Sequence, residues 1–137
     1  MNQALLTQKA RHAYQATQIE ADDPLGLVVR LYDGMIGFLN RGADALAGGD
    51  HSRAAEPIRR ATDIVGELQA VLNLDAGGEV AFNLDRIYSY CRRQIMQAHL
   101  DSDPGALREV AELLLPLRDA WAEAREKQAS EALATAP

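Results

Sequence analysis

The side chains that most often carry chemistry are sparse in this chain and poorly spaced for it. Its three histidines, His12, His51 and His99, stand in three different segments, and none has a second His or a Cys at ligand spacing. They read as surface histidines. A di-iron bundle needs inward Glu residues and Glu-x-x-His pairs on facing helices, but the residue three before His99 is Met96. Gly77-Gly78 lies between two helical patterns rather than after a strand, which makes it a tight turn and not a phosphate cradle. Cys91 falls on an apolar stripe with no His or cationic cluster on its face, the setting of a buried structural thiol rather than a nucleophile. No catalytic, cofactor-binding or metal-binding residue is expected, and the chain is expected to work as a binding protein rather than an enzyme.

The elements that carry these residues are helices. At 137 residues the chain has the size of one domain, and an apolar fraction of 47% supports a packed interior. With two Phe, four Tyr and one Trp, that interior must be filled by Leu, Ala, Val and Ile. A formal charge of -6 would repel a phosphate backbone, so nucleic acid is not an expected partner. Cys91 has no second cysteine to pair with, and the first residues lack the roughly 7 to 15 residue apolar core of a secretory signal. A reducing, cytoplasmic location is expected. No apolar stretch approaches the ~20 residues that cross a bilayer, so no membrane insertion is expected.

Punctuation divides the chain into four long helices. Asp23-Pro24 reads as an N-cap followed by Pro at the first helical position, and opens a helix that Gly48-Gly49 stops. Asp50 or Ser52 can cap a second, ending near Leu74. After Asp75-Ala76-Gly77-Gly78 a third runs from Glu79 to about Leu100, and Asp103-Pro104 opens a fourth that reaches roughly Gln128. Residues 1–23 are expected to form a flexible N-terminal arm, 24–128 the bundle and 129–137 a frayed tail.

Each segment carries an apolar stripe in steps of three and four. These are Val28, Tyr32, Met35, Leu39, Gly42 and Leu46; Ala54, Ile58, Ala61, Val65, Leu68 and Leu72; Val80, Leu84, Ile87, Cys91 and Ala98, with Gln94 interrupting; and Leu107, Val110, Leu114, Leu117 and Trp121. Short connections between helices of similar length predict an all-α, antiparallel up-down four-helix bundle. Pro57 and Pro116 fall inside helices, where each should introduce a kink or, for Pro57, a late start.

Function shows where apolar and small residues occupy the wrong faces. On the third helix Phe82, Met96 and Leu100 project away from the core beside Ser89, Arg86 and Arg93. Either they are scattered surface apolar residues or they form a patch for a partner helix. Ala55, Thr62, Gly66 and Ala70 make a small-residue shoulder on the second helix. Gly26, Gly34 and Gly37 lie toward the polar side of the first, each costing ~1 kcal/mol relative to Ala, and the close approach of another chain would explain them. Before Asp23, Leu6, Ala10, Ala13, Tyr14 and Thr17 make a short amphipathic pattern among Lys9, Arg11 and His12, either an arm that covers an apolar groove or a frayed terminus.

A set of motifs along the chain resembles the flagellar secretion chaperones of the FliS family. They are Ala13-Tyr14, Asp23-Pro24, Leu31-Tyr32-Asp33-Gly34, Phe38-Leu39, Gly49-Asp50, Ile64-Val65 and Leu68, and above all Gly77-Gly78-Glu79-Val80-Ala81-x-Asn83-Leu84-x-x-Ile87-Tyr88-x-Tyr90-x-Arg92-Arg93, with Leu114, Leu117, Arg118, Asp119, Ala120 and Trp121 completing the pattern. The chain departs from the family's usual Ala-Ser-Pro at Asp22-Asp23-Pro24, from a large aliphatic at Cys91 and often from a polar residue at Phe82. The resemblance implies a cytoplasmic chaperone that binds the C-terminal segment of flagellin, prevents premature polymerisation and assists delivery to the flagellar export gate. Other flagellar proteins are further candidate clients, and the exposed patch can also serve a homodimer. By that resemblance Tyr14 matches the arm implicated in groove covering and export-gate contact, and Asn83, Leu84, Tyr88, Arg92 and Arg93 match the third-helix signature, in which Leu84 and Tyr88 also point coreward. With the outward residues these make an expected client-binding set of Tyr14, Phe82, Asn83, Tyr88, Tyr90, Arg93, Met96 and Leu100. Competing readings are a peptide-binding helical adaptor of another secretion system, a tetratricopeptide array, whose roughly 34-residue period needs shorter helices, and a cofactor-bearing bundle.

Overall fold

The computed structural model describes residues 12–14 and 23–135. Among these, four helices follow in order: α1 (Pro24–Ala47), α2 (His51–Ala70), α3 (Leu74–Asp101) and α4 (Pro104–Thr135). Each opens on the same device, a short polar side chain that accepts one of the backbone N–H groups a helix start leaves unpaired. Asp23 accepts from Gly26, Asp50 from Arg53, Asn73 from Ala76 and Asp103 from Ala106, at 2.9–3.1 Å. The pairing of side chains fixes the directions. Along the α1–α4 seam Asp23 meets Arg125, Asp33 meets Arg118 and Asp44 meets Arg108, so numbers rise on one helix as they fall on the other. On the α2–α3 seam His51 reaches Ser102 and Gln69 reaches Asp85, again antiparallel. The up-down four-helix bundle expected from the periodicity is the fold. Its seam ion pairs are exposed and mark the geometry more than they stabilise it.

The predicted stripes form the core. Tyr32, Met35, Leu39, Leu68, Leu107 and Leu114 are fully enclosed, joined by Tyr88 and Ile95 of α3, which the stripe through Val80, Leu84, Ile87 and Cys91 omitted. Val80, Ile87, Leu72 and Leu117 pack against that core while partly exposed. Helix α3 is assigned from Leu74, yet Gly78 at φ 53°, ψ -132° breaks it, so the regular helix starts after the double glycine as its composition predicts. Neither Pro57 nor Pro116 interrupts its helix, and α2 starts at His51, six residues before Pro57. Helix α4 continues past Gln128 to Thr135, through the stretch expected to fray. The reason is local: Ala129 to Thr135 contains neither Gly nor Pro, is rich in strong helix formers, and extends an existing helix without a new nucleus.

The helices share the core unequally. Helix α1 packs closely against α2 and α4, while α3 lies more loosely against those same two. Gly42 is the pivot of the tight side, since a β-carbon there would sit 2.9 Å from Ile58 Cγ1 and 3.6 Å from Leu107 Cδ1. The other glycines of α1 receive internal explanations or none. Gly26 is crowded by its own cap and by Arg125 Nε at 2.8 Å, Gly34 faces Ile64, and Gly37 faces open space. An external chain is therefore not needed to account for Gly26, contrary to the reading from sequence. Of the segment before Asp23, residues 12–14 are docked: Ala13 and Tyr14 are buried, and the Asn73 amide donates to the Ala13 carbonyl at 2.8 Å. Gly77 admits them, because its β-carbon would come within 2.7 Å of Ala13 Cα, a backbone atom that cannot move aside cheaply. Leu6, Lys9, Ala10, Arg11 and Thr17 of the predicted arm lie outside the described residues.

Two α1 glycines should respond oppositely to the same change. Gly42→Ala overpacks the α1–α2–α4 contact and should lower the unfolding free energy by ~1–3 kcal/mol. Gly37→Ala adds a methyl group to open space in a helix and should raise it by ~0.5–1 kcal/mol. Urea denaturation of the two variants checks the packing assignment, and shifts of the same sign would overturn it.

Candidate functional site

The eight residues expected to contact a client separate into two groups. Tyr14 and Tyr88 are 2% and 0% exposed and belong to the interior. Tyr88 follows Leu84 by four positions and precedes Cys91 by three, so it falls on the core stripe of α3. Its hydroxyl is the centre of a buried chain: Tyr14 Oη and Tyr32 Oη each lie 2.6 Å from Tyr88 Oη, so Tyr88 can accept from one neighbour while donating to the other. Trp121 encloses the group, edge-on to Tyr14 at 5.4 Å and tilted to Tyr32 at 6.5 Å between ring centroids. Among the described residues its buried Nε1 has no hydrogen-bond partner. Burial pushes the Tyr14 and Tyr88 phenols well above the ordinary tyrosine range and Tyr32 up to about 12. Cys91, close by in the core, is likewise pushed up by burial to about 11, so it remains a thiol at neutral pH.

The second group covers the outward face of α3. Phe82, Tyr90, Met96 and Leu100 are 57%, 46%, 62% and 74% exposed, and Asn83 and Arg93 are exposed with them. So many large apolar side chains on one helix exceed the single exposed Leu or Phe that a soluble surface ordinarily carries. They form a ridge, because the loose packing of α3 leaves a furrow on each side. The α3–α4 furrow, about 730 Å³, is lined by Asp85, Arg86, Ile87, Ser89, Tyr90, Arg93 and Gln94 of α3 and by Ala106, Glu109, Val110 and Leu113 of α4. The α2–α3 furrow, about 660 Å³, takes Ala55, Ile58, Arg59, Thr62, Asp63 and Gln69 from α2 and Ser89, Arg92, Arg93, Met96 and His99 from α3. Ser89 and Arg93 line both and therefore stand on the crest. Of the small-residue shoulder predicted on α2, Ala55 and Thr62 belong to the second furrow, and Gly66 has open space at its β-carbon.

The furrows differ in how their walls are hydrogen-bonded. Across the α2–α3 seam the Gln69 amide donates to the Asp85 carboxylate at 3.0 Å and to Ser89 Oγ at 2.7 Å, and Arg92 donates to Gln69 Oε1 at 3.2 Å. Further along, Arg59 and Arg60 both clamp Glu56, whose carboxyl their hydrogen bonds hold down to about 2. Part of that furrow's wall is thus engaged in its own hydrogen bonds. The α3–α4 furrow presents Tyr90 and Leu113, the latter 42% exposed, over Ile87 and Val110. Leu113 was not among the residues singled out from sequence, because its place on the α3-facing side of α4 becomes a surface only when α3 stands away. Among the described residues no group of three His, Cys, Asp or Glu side chains is placed to hold a metal ion, and no helix is long and apolar enough to cross a membrane. What the arrangement can do is bind an apolar helical segment along α3.

The chain is similar to known proteins over most of its length. A family model described as flagellar protein FliS matches residues 7–128. The flagellar secretion chaperone FliS of Bacillus subtilis is 32% identical over 112 residues, 82% of this chain and 83% of the relative. That of Vibrio cholerae is 33% identical over 105 residues, 77% of each chain. The flagellar secretion chaperone FliSB of Pseudomonas aeruginosa is 35% identical over 120 residues, 82% of this chain and 93% of the relative.

The buried tyrosines make a checkable statement about alkaline stability. A phenol whose pKa burial raises is held neutral by the fold, so its contribution is complete below the unfolded value of about 10 and is lost as pH rises toward the folded value, about 12 for Tyr32. In a Tyr90→Phe variant, which leaves Tyr14, Tyr32 and Tyr88, tyrosinate absorbance should stay low past pH ~10 and then rise together with the loss of helical circular dichroism. Ionisation near pH ~10 with the helices intact would show that these phenols are open to water.

Proposed function

The chain belongs to the FliS family of flagellar proteins, and from that premise we propose that it binds the C-terminal segment of flagellin in the bacterial cytoplasm, keeps it from polymerising prematurely, and assists its delivery to the flagellar export apparatus. The observation that carries this reading is the apolar ridge of Phe82, Met96 and Leu100 along α3 with a furrow on each side. A segment that is unfolded before assembly and helical afterwards can lay an apolar face on such a ridge. Ordering that segment consumes part of the interaction energy, which leaves a complex tight enough to hold and weak enough to release. The three relatives' printed role, secretion chaperone, requires that reversibility. The buried Tyr14, Tyr88 and Trp121 then support the ridge from beneath rather than touch the client.

The test is a double substitution on the ridge. Phe82→Ser with Met96→Ser changes two exposed positions and should leave the thermal midpoint nearly unchanged, since such surface changes cost within ~0.5 kcal/mol. If both side chains are fully buried in the complex, each contributes ~1.5–3 kcal/mol, and their loss should weaken flagellin binding by two orders of magnitude or more. Calorimetry with a peptide from the last ~40 residues of flagellin should show one-to-one binding to the parent chain, with a gain of helical circular dichroism. A folded double variant that binds as the parent does would place the client elsewhere.

A further inference from the structure

We propose that the α3–α4 furrow selects its occupant by charge as well as by apolar contact: it takes an amphipathic helix bearing carboxylates two turns apart, at i and i+7, that flank an apolar residue, and Arg86 and Arg93 receive those carboxylates. The inference rests on the client-binding reading above and specifies the chemistry of one of its contact lines. Arg86, Tyr90 and Arg93 stand at i, i+4 and i+7 of α3, so a cation, an aromatic ring and a second cation follow one another along one edge of the furrow. Tyr90 is 46% exposed and Leu113 across from it 42%, which makes an apolar track between the cations.

The charges are the informative part. In a chain of net charge -6, the ion-paired arginines lie off α3: Arg53 with Asp50, Arg59 and Arg60 with Glu56, Arg108 with Asp44, Arg118 with Asp33 and Arg125 with Asp23. Among the described residues neither Arg86 nor Arg93 has a carboxylate within ion-pair distance. Asp85 also lines the α3 wall, where its carboxylate accepts from Gln69 of α2, and the opposite wall carries Glu109 on α4, so beyond that engaged carboxylate the furrow has a cationic edge and an anionic edge. A helix with acidic residues on one flank of its apolar stripe fits that polarity in one rotational setting, which gives orientation as well as attraction. The α2–α3 furrow shares Arg93 but not the pair, since Arg86 does not line it, Arg92 donates to Gln69 and Arg59 is held by Glu56 and Asp63.

The experiment compares the full chain with an Arg86→Gln, Arg93→Gln variant, each titrated with the flagellin C-terminal segment at ~50 mM and ~500 mM salt, thermal unfolding being followed in parallel. The variant should bind roughly tenfold more weakly at low salt, and the gap should close at high salt. Replacing the segment's i, i+7 carboxylates by amides should produce the same loss with the parent chain and no further loss with the variant. Equal affinities of parent and variant at both salt concentrations, or losses that simply add, overturn the charge reading while leaving the client reading in place. A parent chain that binds no flagellin segment overturns both. If the two substitutions instead abolish dimerisation of the free chain, the occupant is a second copy and the proposal fails.

Discussion

At Gly42 the backbone of α1 approaches α2 so closely that Ile58 occupies the space a side chain would need, with Leu107 of α4 in contact beside it. Most of the architecture follows from that contact. A helix that is narrow toward its C-terminal end can hold two neighbours close there, and α1 packs closely against both α2 and α4, leaving α3 as the member with the least share of the core. Because α3 cannot reach equally deep, its flanks open into furrows and its outer face stands proud. The exposed apolar face of α3 is thus a by-product of unequal packing, not a separate element.

The interior meets the looseness of α3 with specific polar contacts instead of apolar depth. Tyr88 is hydrogen-bonded on both sides, to Tyr32 of α1 and to Tyr14 of the docked N-terminal residues. A buried hydroxyl left unpaired is costly, so these bonds favour one depth and one rotational setting of α3. The Gln69 amide performs the comparable task on the α2 seam. An all-aliphatic α3 would slide more freely, and a ridge that slides cannot present Phe82, Tyr90 and Met96 in constant relation.

Charge on this molecule divides by location. Pairs along the α1–α4 seam and within α2 engage Arg59, Arg60, Arg108, Arg118 and Arg125 with acidic neighbours, and their solvent exposure makes them minor contributors to stability. Along α3 the cations are spaced by heptads beside aromatic and apolar side chains, a composition that suits the rim of an interface. Family membership assigns the protein to flagellar secretion chaperones, and the physical character of α3 agrees with a helix that meets a partner.

Local chemistry was enough for the number of helices, their capped starts at Asp23, Asp50 and Asp103, the apolar stripes, and the outward projection of Phe82, Met96 and Leu100, because capping and periodicity act over a few neighbouring residues. The antiparallel order followed from the short connections, and the family from a signature in which fold and site residues are mixed. Other features needed contacts between distant parts of the chain. Tyr14 reads as an arm residue and is a core residue, since Gly77 leaves room for Ala13 and Tyr88 lies within hydrogen-bond reach. Gly26 reads as an opening for another chain and is a consequence of the Asp23–Arg125 pair, 102 positions apart. Leu113 carries no signal of its own, because whether it faces a helix or a furrow depends on how far α3 stands from α4, a distance set by side chains on all four helices at once.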